Sequence, residues 1–485
     1  MIVKTIYNKK IPFLLLFSLS SLVGCGSSEN ESSSQAIEKI PLKGSQPQNS
    51  QLVNKQSANS QSAATGSKNK GANYFSTIKN NPLWIFMHNT ALVSLDVSPE
   101  ISQAESNALG RKDQIDVVKG QRYPQVNLST SSPRLEVGKS NKDNNTVTSQ
   151  VSVVTPVFDW GRISSQVEEQ SYAFEASNMG LRLKQDEIAY TILSYAVEIA
   201  RVTKLLDVNE AYLTRMNELV AMLEGIVAAD PGRASELLQA KTKQIQALTS
   251  RDSLIAQLNE LQVSAERYLG EEIYFPKGLD FDPEIFDQVD EEPLIKFHPA
   301  VLQANAEYNR AKAAAKSLGA SRLPQVNLNV TKNTNDLEYE DEEDPWLVGL
   351  NLSWAVYEGG SATASERSAI QEAKTILYQR QTIVKDIQNR ISAARVQRDN
   401  AILRSKEYQN LVDASREVKQ TFFDQWFHLG KKQLLDVLSA ESDFYNNEQT
   451  LVNLEFDAFS SQLRLFSDSG LLLSWLDITL KQVSR

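Results

Sequence analysis

Two periodicities take turns along this chain. At Val126, Asn127, Leu128 and Ser129 apolar and polar side chains alternate residue by residue, and VSVVTPVF follows after a stretch rich in Lys, Asn and Ser. The same order returns 200 residues later, where Val326, Leu328 and Val330 alternate with Asn327, Asn329 and Thr331. Val348, Leu350, Leu352 and Trp354 then alternate with Gly349, Asn351 and Ser353. A period of two is that of a strand with unlike faces, so the pattern predicts one hairpin over 123–158 and another over 323–357. Between and after them the period changes. Ile188, Ile192, Tyr195, Ile199, Val202, Leu206, Leu213, Met216, Val220, Leu223 and Val227 are spaced by fours and threes, interrupted once by Asn209. That is a coiled-coil seam within a proline-free span from Ile163 to Asp230, and a second such span runs from Ser361 to Gly430. Each is long enough for a helix of roughly 100 Å. Turns at ADPGR (229–233) and HLGKK (428–432) precede returning helices near 235–268 and 433–467.

The chain is therefore written twice. PQVNL occurs at 124–128 and 324–328, Pro99 has its counterpart in Pro299, TPVFDWGR is echoed by SWAVYEGGS, and SELLQA lies over LDVLSA. Each copy reads short helix, strand, strand, long helix, turn, returning helix. The reading assigns 83–270 to the first repeat, 271–297 to a linker, 298–470 to the second repeat and 471–485 to a tail. The strands set apolar against small polar residues, with Phe158, Trp160, Trp346, Trp354 and Tyr357 near their ends. This suits a membrane barrel with a lipid face, a wet lumen and an aromatic girdle; an ordinary pair of hairpins on a soluble protein is the alternative. Four strands do not close a membrane barrel, and an open sheet edge is not tolerated in lipid, so the barrel reading requires several chains to pool strands.

The first residues change the picture of location. Lys4, Lys9 and Lys10 precede an apolar run from Ile11 to Leu22, too short to span a bilayer. Residues 1–24 read as a secretory signal peptide. LVGC resembles the bacterial lipoprotein box, which makes Cys25, the sole cysteine, the candidate for lipidation and the new N-terminus; a buried free thiol is the alternative. In that family an Asp after the cysteine retains the protein at the inner membrane; Gly26 stands here instead, so the resemblance implies the outer membrane. Residues 25–82, rich in Ser, Gln and Asn, read as a flexible tether.

Charge and motifs exclude other functions. The net charge of −10 becomes −13 after cleavage, and no basic stripe offers itself to nucleic acid. His88, His298 and His428 show no metal spacing, and neither a GxSxG nucleophile nor a phosphate-binding glycine loop is present. His298 and His428 read as a helix-start and a turn residue. No cofactor beyond a covalent lipid is expected. The acidic run 336–344 offers oxygen ligands without EF-hand spacing and reads as either a solvated external loop or a calcium site.

The order of elements, the lipobox, the duplicated PQVNL and GKKQLLDVLSAESDFYNNEQTLVNLEF (430–456) together resemble the TolC-like outer-membrane efflux protein family. The resemblance implies a mainly α fold with a membrane β-barrel. Two tandem repeats, each of long coiled-coil helices plus a two-stranded hairpin, would assemble as a homotrimer with a twelve-stranded barrel and a periplasmic α-helical tunnel. It implies a passive export duct in outer-membrane lipid, working with a periplasmic membrane-fusion adaptor and an inner-membrane ABC or RND-type transporter. ADPGRASELLQAKTKQIQA (229–247) looks like the branch serving type I protein secretion, with small-molecule efflux as the alternative. A coiled-coil lipoprotein or adaptor without a pore is the more distant one. In the family the periplasmic entrance is closed by helix turns held by polar links and lined with aspartates. Position by position, Asp436 matches the first aspartate and Lys432 the basic link. Phe427 matches an aromatic that would link through a hydroxyl it lacks, and Ser439 stands where a second aspartate would be. Glu236 occupies the corresponding place in the first repeat. Glu236 and Asp436 from three chains would make a ring of carboxylates favouring cations, or simply solvate a helix face.

Overall fold

The computed structural model describes residues 80–131, 148–276, 278–286, 292–335, 345–479 and 483. Cys25, most of the proposed tether and the acidic run 336–344 lie outside the described residues.

Helix α1 (Pro82–Val97) starts where Asn81 accepts the Leu83 N–H, and α2 (Pro99–Gly120) leads to strand β1 (Gln125–Ser131). Strand β2 (Thr148–Phe158) returns into α3 (Arg162–Ala229), which turns through Pro231–Arg233 into α4 (Ala234–Leu269). The second repeat follows the same plan: α5 (Pro299–Ser321), β3 (Gln325–Asn335), β4 (Trp346–Ser353), α6 (Ser361–Phe427) and α7 (Leu434–Asp468). A short α8 (Leu472–Trp475) closes the described chain.

The repeated PQVNL has a local cause. Proline ends the helix before it, because it removes an amide donor and restricts its predecessor. The next residue then folds back: the Gln125 amide donates to the Gly120 and Tyr123 carbonyls at 2.9 and 3.0 Å. Gln325 does the same to Ala320 and Leu323 at 3.3 and 3.0 Å. Carbonyls left open at the helix end are thereby satisfied just as the strand begins. At the other joint, Asp159 accepts the amides of Gly161 and Ile163, opening α3. Gly161 has φ +80°, and Gly360, before α6, has φ +85°. One step earlier the second repeat carries Gly359 at φ +62°, whereas the first carries Trp160 at φ +55°, a left-handed conformation unfavourable for a bulky side chain. Its indole N–H donates to the Pro324 carbonyl at 2.9 Å, tying the first repeat to the start of β3.

The four strands form one antiparallel sheet in the order β1-β2-β3-β4, so the repeats meet at the β2–β3 ladder. The register aligns Val126 with Val153, Val153 with Val330, and Val330 with Val348. Leu128, Val151, Leu328, Leu350, Val326 and Leu352 share that apolar face. Asn127, Ser152, Thr331 and, in neighbouring rows, Gln125, Asn329, Gln150 and Asn333 occupy the other. The ladder slips at Pro156/Phe158, where proline has no N–H to give. Every residue of β1 and β4 is exposed within one protomer, and among the described residues neither strand pairs along its outer edge. No described helix is long and apolar enough to cross a membrane.

The main core surrounds the middle of α3. Ile192, Leu193, Ala196 and Val197 meet Leu83, Met87, Phe456, Phe459, Leu463 and Phe466. Here the structure gives more than a linker and a tail. Residues 271–286 deliver Phe275, Phe281 and Phe286 into this core, and Phe286 stacks on Trp475 with ring centroids 4.6 Å apart. Trp84 donates to the Trp475 carbonyl at 3.2 Å, so α8 is pinned beneath α1. His298 caps α5, its Nδ1 accepting the Ala300 amide at 3.1 Å, and His428 caps the end of α6, as their sequence positions suggested.

Candidate functional site

The turn ends of the helical hairpins gather the residues singled out in sequence. In the first repeat Asp230 accepts the Gly232 amide, folding the chain into Pro231–Arg233. Arg233 then reaches forward and grips both carboxylate oxygens of Glu236 through one guanidinium edge, Nη2 and Nε donating at 2.7 and 3.2 Å. The pair raises the arginine pKa further above its ordinary value, chiefly through the hydrogen bond to Glu236. Glu236 is thus already partnered within its own protomer. The guanidinium also lies 5.9 Å from the Trp426 ring, across the repeat boundary.

In the second repeat α6 ends in a run of aromatics. Phe427, 47% exposed, stacks nearly parallel to Phe423 at 5.7 Å. Gly430 takes φ +59°, and the Lys431 amide closes onto the Gln425 carbonyl at 2.9 Å. Lys432 holds its ammonium 4.0 Å above the Phe422 ring, a cation–π contact. Asp436 sits at the third position of α7 and accepts the Gln433 amide at 3.1 Å, while the Gln433 side chain accepts in return. This reciprocal cap satisfies two amides at the helix start, and a carboxylate there also opposes the helix dipole. Of the four residues, Phe427, Lys432 and Asp436 share one turn and Glu236 stands on the other; each has a partner inside the protomer. Among the described residues no cluster of His, Cys, Asp and Glu is arranged to hold a metal.

Deeper in the same region lies an ionic centre that sequence reasoning missed. The Glu441 side chain is 2% exposed. It accepts Arg215 Nε from α3 at 2.9 Å and pairs with Lys419 Nζ from α6 at 3.6 Å. Arg215 lies 4.4 Å from the Phe423 ring centroid, and Lys419 3.9 Å from that of Phe444. Breaking such a buried cluster by removing one partner typically costs about 3–5 kcal/mol, because a charge is left stranded. The signal was present in the spacing. Leu434, Val437, Leu438, Phe444 and Tyr445 mark the buried stripe of α7, and Glu441 falls within it. One turn further on, Tyr212 and Tyr445 stack with centroids 4.4 Å apart and an interplanar angle of 12°. Burial pushes the Tyr212 phenol up to about 12. Around these groups Met216, Leu219, Leu223, Trp426, Val437 and Leu438 form a second apolar core joining the two repeats.

This architecture has close counterparts. The model of the outer membrane efflux protein family matches residues 93–267 and 294–470, more than half of the chain. The proteases secretion protein PrtF of Dickeya chrysanthemi is 24% identical over 357 residues, covering 68% of this chain and 74% of that one. The solvent efflux pump outer membrane protein SrpC of Pseudomonas putida is 23% identical, covering 64% and 68%. The crystal structure of VceC from Vibrio cholerae superposes with a TM-score of 0.70 at 17% identity, over 79% of this chain and 96% of that one. Family and fold are those of passive outer-membrane channels rather than enzymes. TolC-like channels are trimers working with periplasmic adaptors and inner-membrane transporters. The two unpaired sheet edges fit this, since pooled strands from three chains leave no edge in lipid. The repeated helices and hairpins, the sheet with one apolar and one polar face, and the family match over both repeats lead to one conclusion: this chain belongs to the outer membrane efflux protein family, the TolC-like channels.

Proposed function

We propose that the protein is the outer-membrane component of a type I secretion system, a trimeric duct that passes polypeptides from an inner-membrane ABC transporter through a periplasmic adaptor. The observation that carries this reading is the similarity to PrtF, whose name assigns it to protease secretion, over 68% of this chain. The polar sheet face supports it: Asn, Gln, Ser and Thr offer neutral hydrogen-bonding groups to a polypeptide in transit. Small-molecule efflux, with an RND-type transporter, is the second reading, favoured by the similarity to SrpC. Comparing the surface and extracellular proteins of a strain lacking this gene with its parent separates them. Loss of one or a few large proteins supports secretion; an unchanged exoproteome with increased retention of solvents or drugs supports efflux.

In this reading Cys25 carries the lipid anchor, and labelling with a radioactive fatty acid is abolished by Cys25→Ser. The turns at 229–233 and 428–432 form the periplasmic entrance. Phe427, Lys432, Asp436 and Glu236 line it, and it opens when the second-repeat turn moves away from the first. The aromatic packing of Phe427 on Phe423 takes the place of a hydroxyl link. No chemistry is performed; the transporter supplies the energy.

A further inference from the structure

Away from the turns, α1 leaves an apolar groove along one side. Pro82, Ile85, Phe86, Asn89, Thr90 and Val93 recur at helical spacing and form one wall. The other wall is the chain that follows α4. A Cβ on Gly270 would lie 3.4 Å from Cγ1 of Val97, and Phe275 packs on Phe86 with ring centroids 4.9 Å apart, so 270–276 run back along α1 toward its start. Buried Leu269 and Ile273 floor a space of about 460 Å³, while Ile85 and Tyr274 stand exposed at its rim. Glu271–Pro276 makes no backbone hydrogen bond to other described residues. Amides and carbonyls left open beside an apolar floor are what an added extended segment satisfies.

Residues 74–79, YFSTIK, lie outside the described residues, and we infer that they fold back along α1 and plug this groove as an extended segment. The start of α1 delivers them there. Asn81 is its N-cap, and the position before an N-cap lies beside the fourth residue of the helix, here Ile85 on the groove wall. The reach is right as well. Going back from Asn80 to Tyr74 covers about 20 Å in an extended chain. From Ile85 to Val97, α1 rises about 18 Å. The composition fits this occupant, since Tyr74 and Phe75 are the only aromatics between Cys25 and Trp84. Tyr74 and Ile78 share one face of an extended segment, the face that meets the floor. Lys79 complements Glu271 and Glu272 along the opposite wall. With the plug seated, the stretch joining Cys25 to the body is 26–73.

Thiol chemistry tests this in the full-length protein, where Cys25 is the sole native cysteine and each labelled peptide is identified by mass. Val93→Cys is expected to react with a soluble maleimide at least tenfold more slowly than the same cysteine in a chain that also carries Tyr74→Ser, Phe75→Ser and Ile78→Ser. Those three changes leave every residue of the described core in place. Slow reaction in both chains assigns the groove to a neighbouring copy or another protein and overturns the plug. Fast reaction in both shows the groove open and overturns it too. Independently of the serine variant, Ser76→Cys and Val93→Cys are expected to be joined within one chain by a short bifunctional thiol reagent, at least tenfold more than Ser50→Cys and Val93→Cys. Equal linking of the two pairs, or a link formed between two chains, overturns the plug.

Discussion

The carboxamide of Asn209 donates to the phenolic oxygen of Tyr445 at 2.7 Å, joining residues 236 positions apart across the boundary between the repeats. Asn209 is wholly buried in a seam otherwise built of Ile, Val, Leu and Met. A polar residue at one seam position costs some stability but fixes which helix faces which, and in what register.

Removing the hydroxyl should therefore hurt. Tyr445→Phe is expected to destabilise the protein by about 1–3 kcal/mol, since the Asn209 amide is left buried without its acceptor. Asn209→Leu should cost less, because it restores an unbroken apolar seam. Chemical denaturation of the purified wild type, both single variants and the double variant checks this, with a coupling energy of about 1 kcal/mol or more expected.

Two buried titratable groups near the ends of α7 and α5 oppose each other in pH. Burial, reinforced by neighbouring Asp468 and only partly offset by a hydrogen bond from Ser467, raises the Asp186 carboxyl to about 7. A raised carboxyl is protonated in the fold while the unfolded chain has already ionised, so its contribution is present at low pH and fades as pH rises toward 7. Burial, with the charge of Arg390, lowers His298 to about 4, so the unfolded chain takes up its proton first and stability fades as pH falls from about 6.5 toward 4. The two slopes cancel over much of pH 4–6.5. His298→Asn keeps a capping side chain and removes the imidazole. The melting temperature of that variant should decline as pH rises from 4 to 7 more steeply than the wild type's.

The joint between sheet and helices tests backbone strain. Gly359→Ala and Gly360→Ala place a Cβ on left-handed residues and should each cost about 1–2 kcal/mol. Trp160→Gly relieves that strain but loses the bond to Pro324, so its net change should be smaller than either. Thermal denaturation of the three variants ranks them.

Ion selectivity reads the entrance. Glu236 is paired with Arg233 and Asp436 is engaged in a helix cap within each protomer, so in the proposed entrance a ring of these carboxylates would carry local partners. Arg233→Gln frees one carboxylate per chain. The reversal potential of the reconstituted trimer in a planar bilayer under a salt gradient should shift toward greater cation preference.

What could be read from sequence follows from where the determining interactions lie. The long helices and their turns were legible because a heptad seam and its interruption by Pro–Gly or Gly–Lys–Lys are local; α3 ends at Ala229 and α7 begins at Leu434, within a residue or two of expectation. The strands were legible because their faces alternate. The partners of Asn209 and Glu441 were not, since Tyr445 and Arg215 lie 236 and 226 positions away in the other repeat, and Lys419 reaches Glu441 from the preceding helix across the turn. For the same reason 271–286 passed for a linker: Phe275, Phe281 and Phe286 carry no period, and only the assembled core gives them a place. Glu236 and Asp436 were singled out by position; that they are held locally by Arg233 and Gln433 was not read from the sequence.

The polar face of the sheet holds one last implication. Among the described residues it bears amides, hydroxyls and a few small or aliphatic side chains, with no formal charge, while Lys332 sits on the opposite face against Trp346. A wall of that kind neither recruits nor repels by sign. In the proposed duct, discrimination between one traveller and another would fall to whatever machinery loads it, and exchanging that machinery would reassign the duct without rewriting its walls.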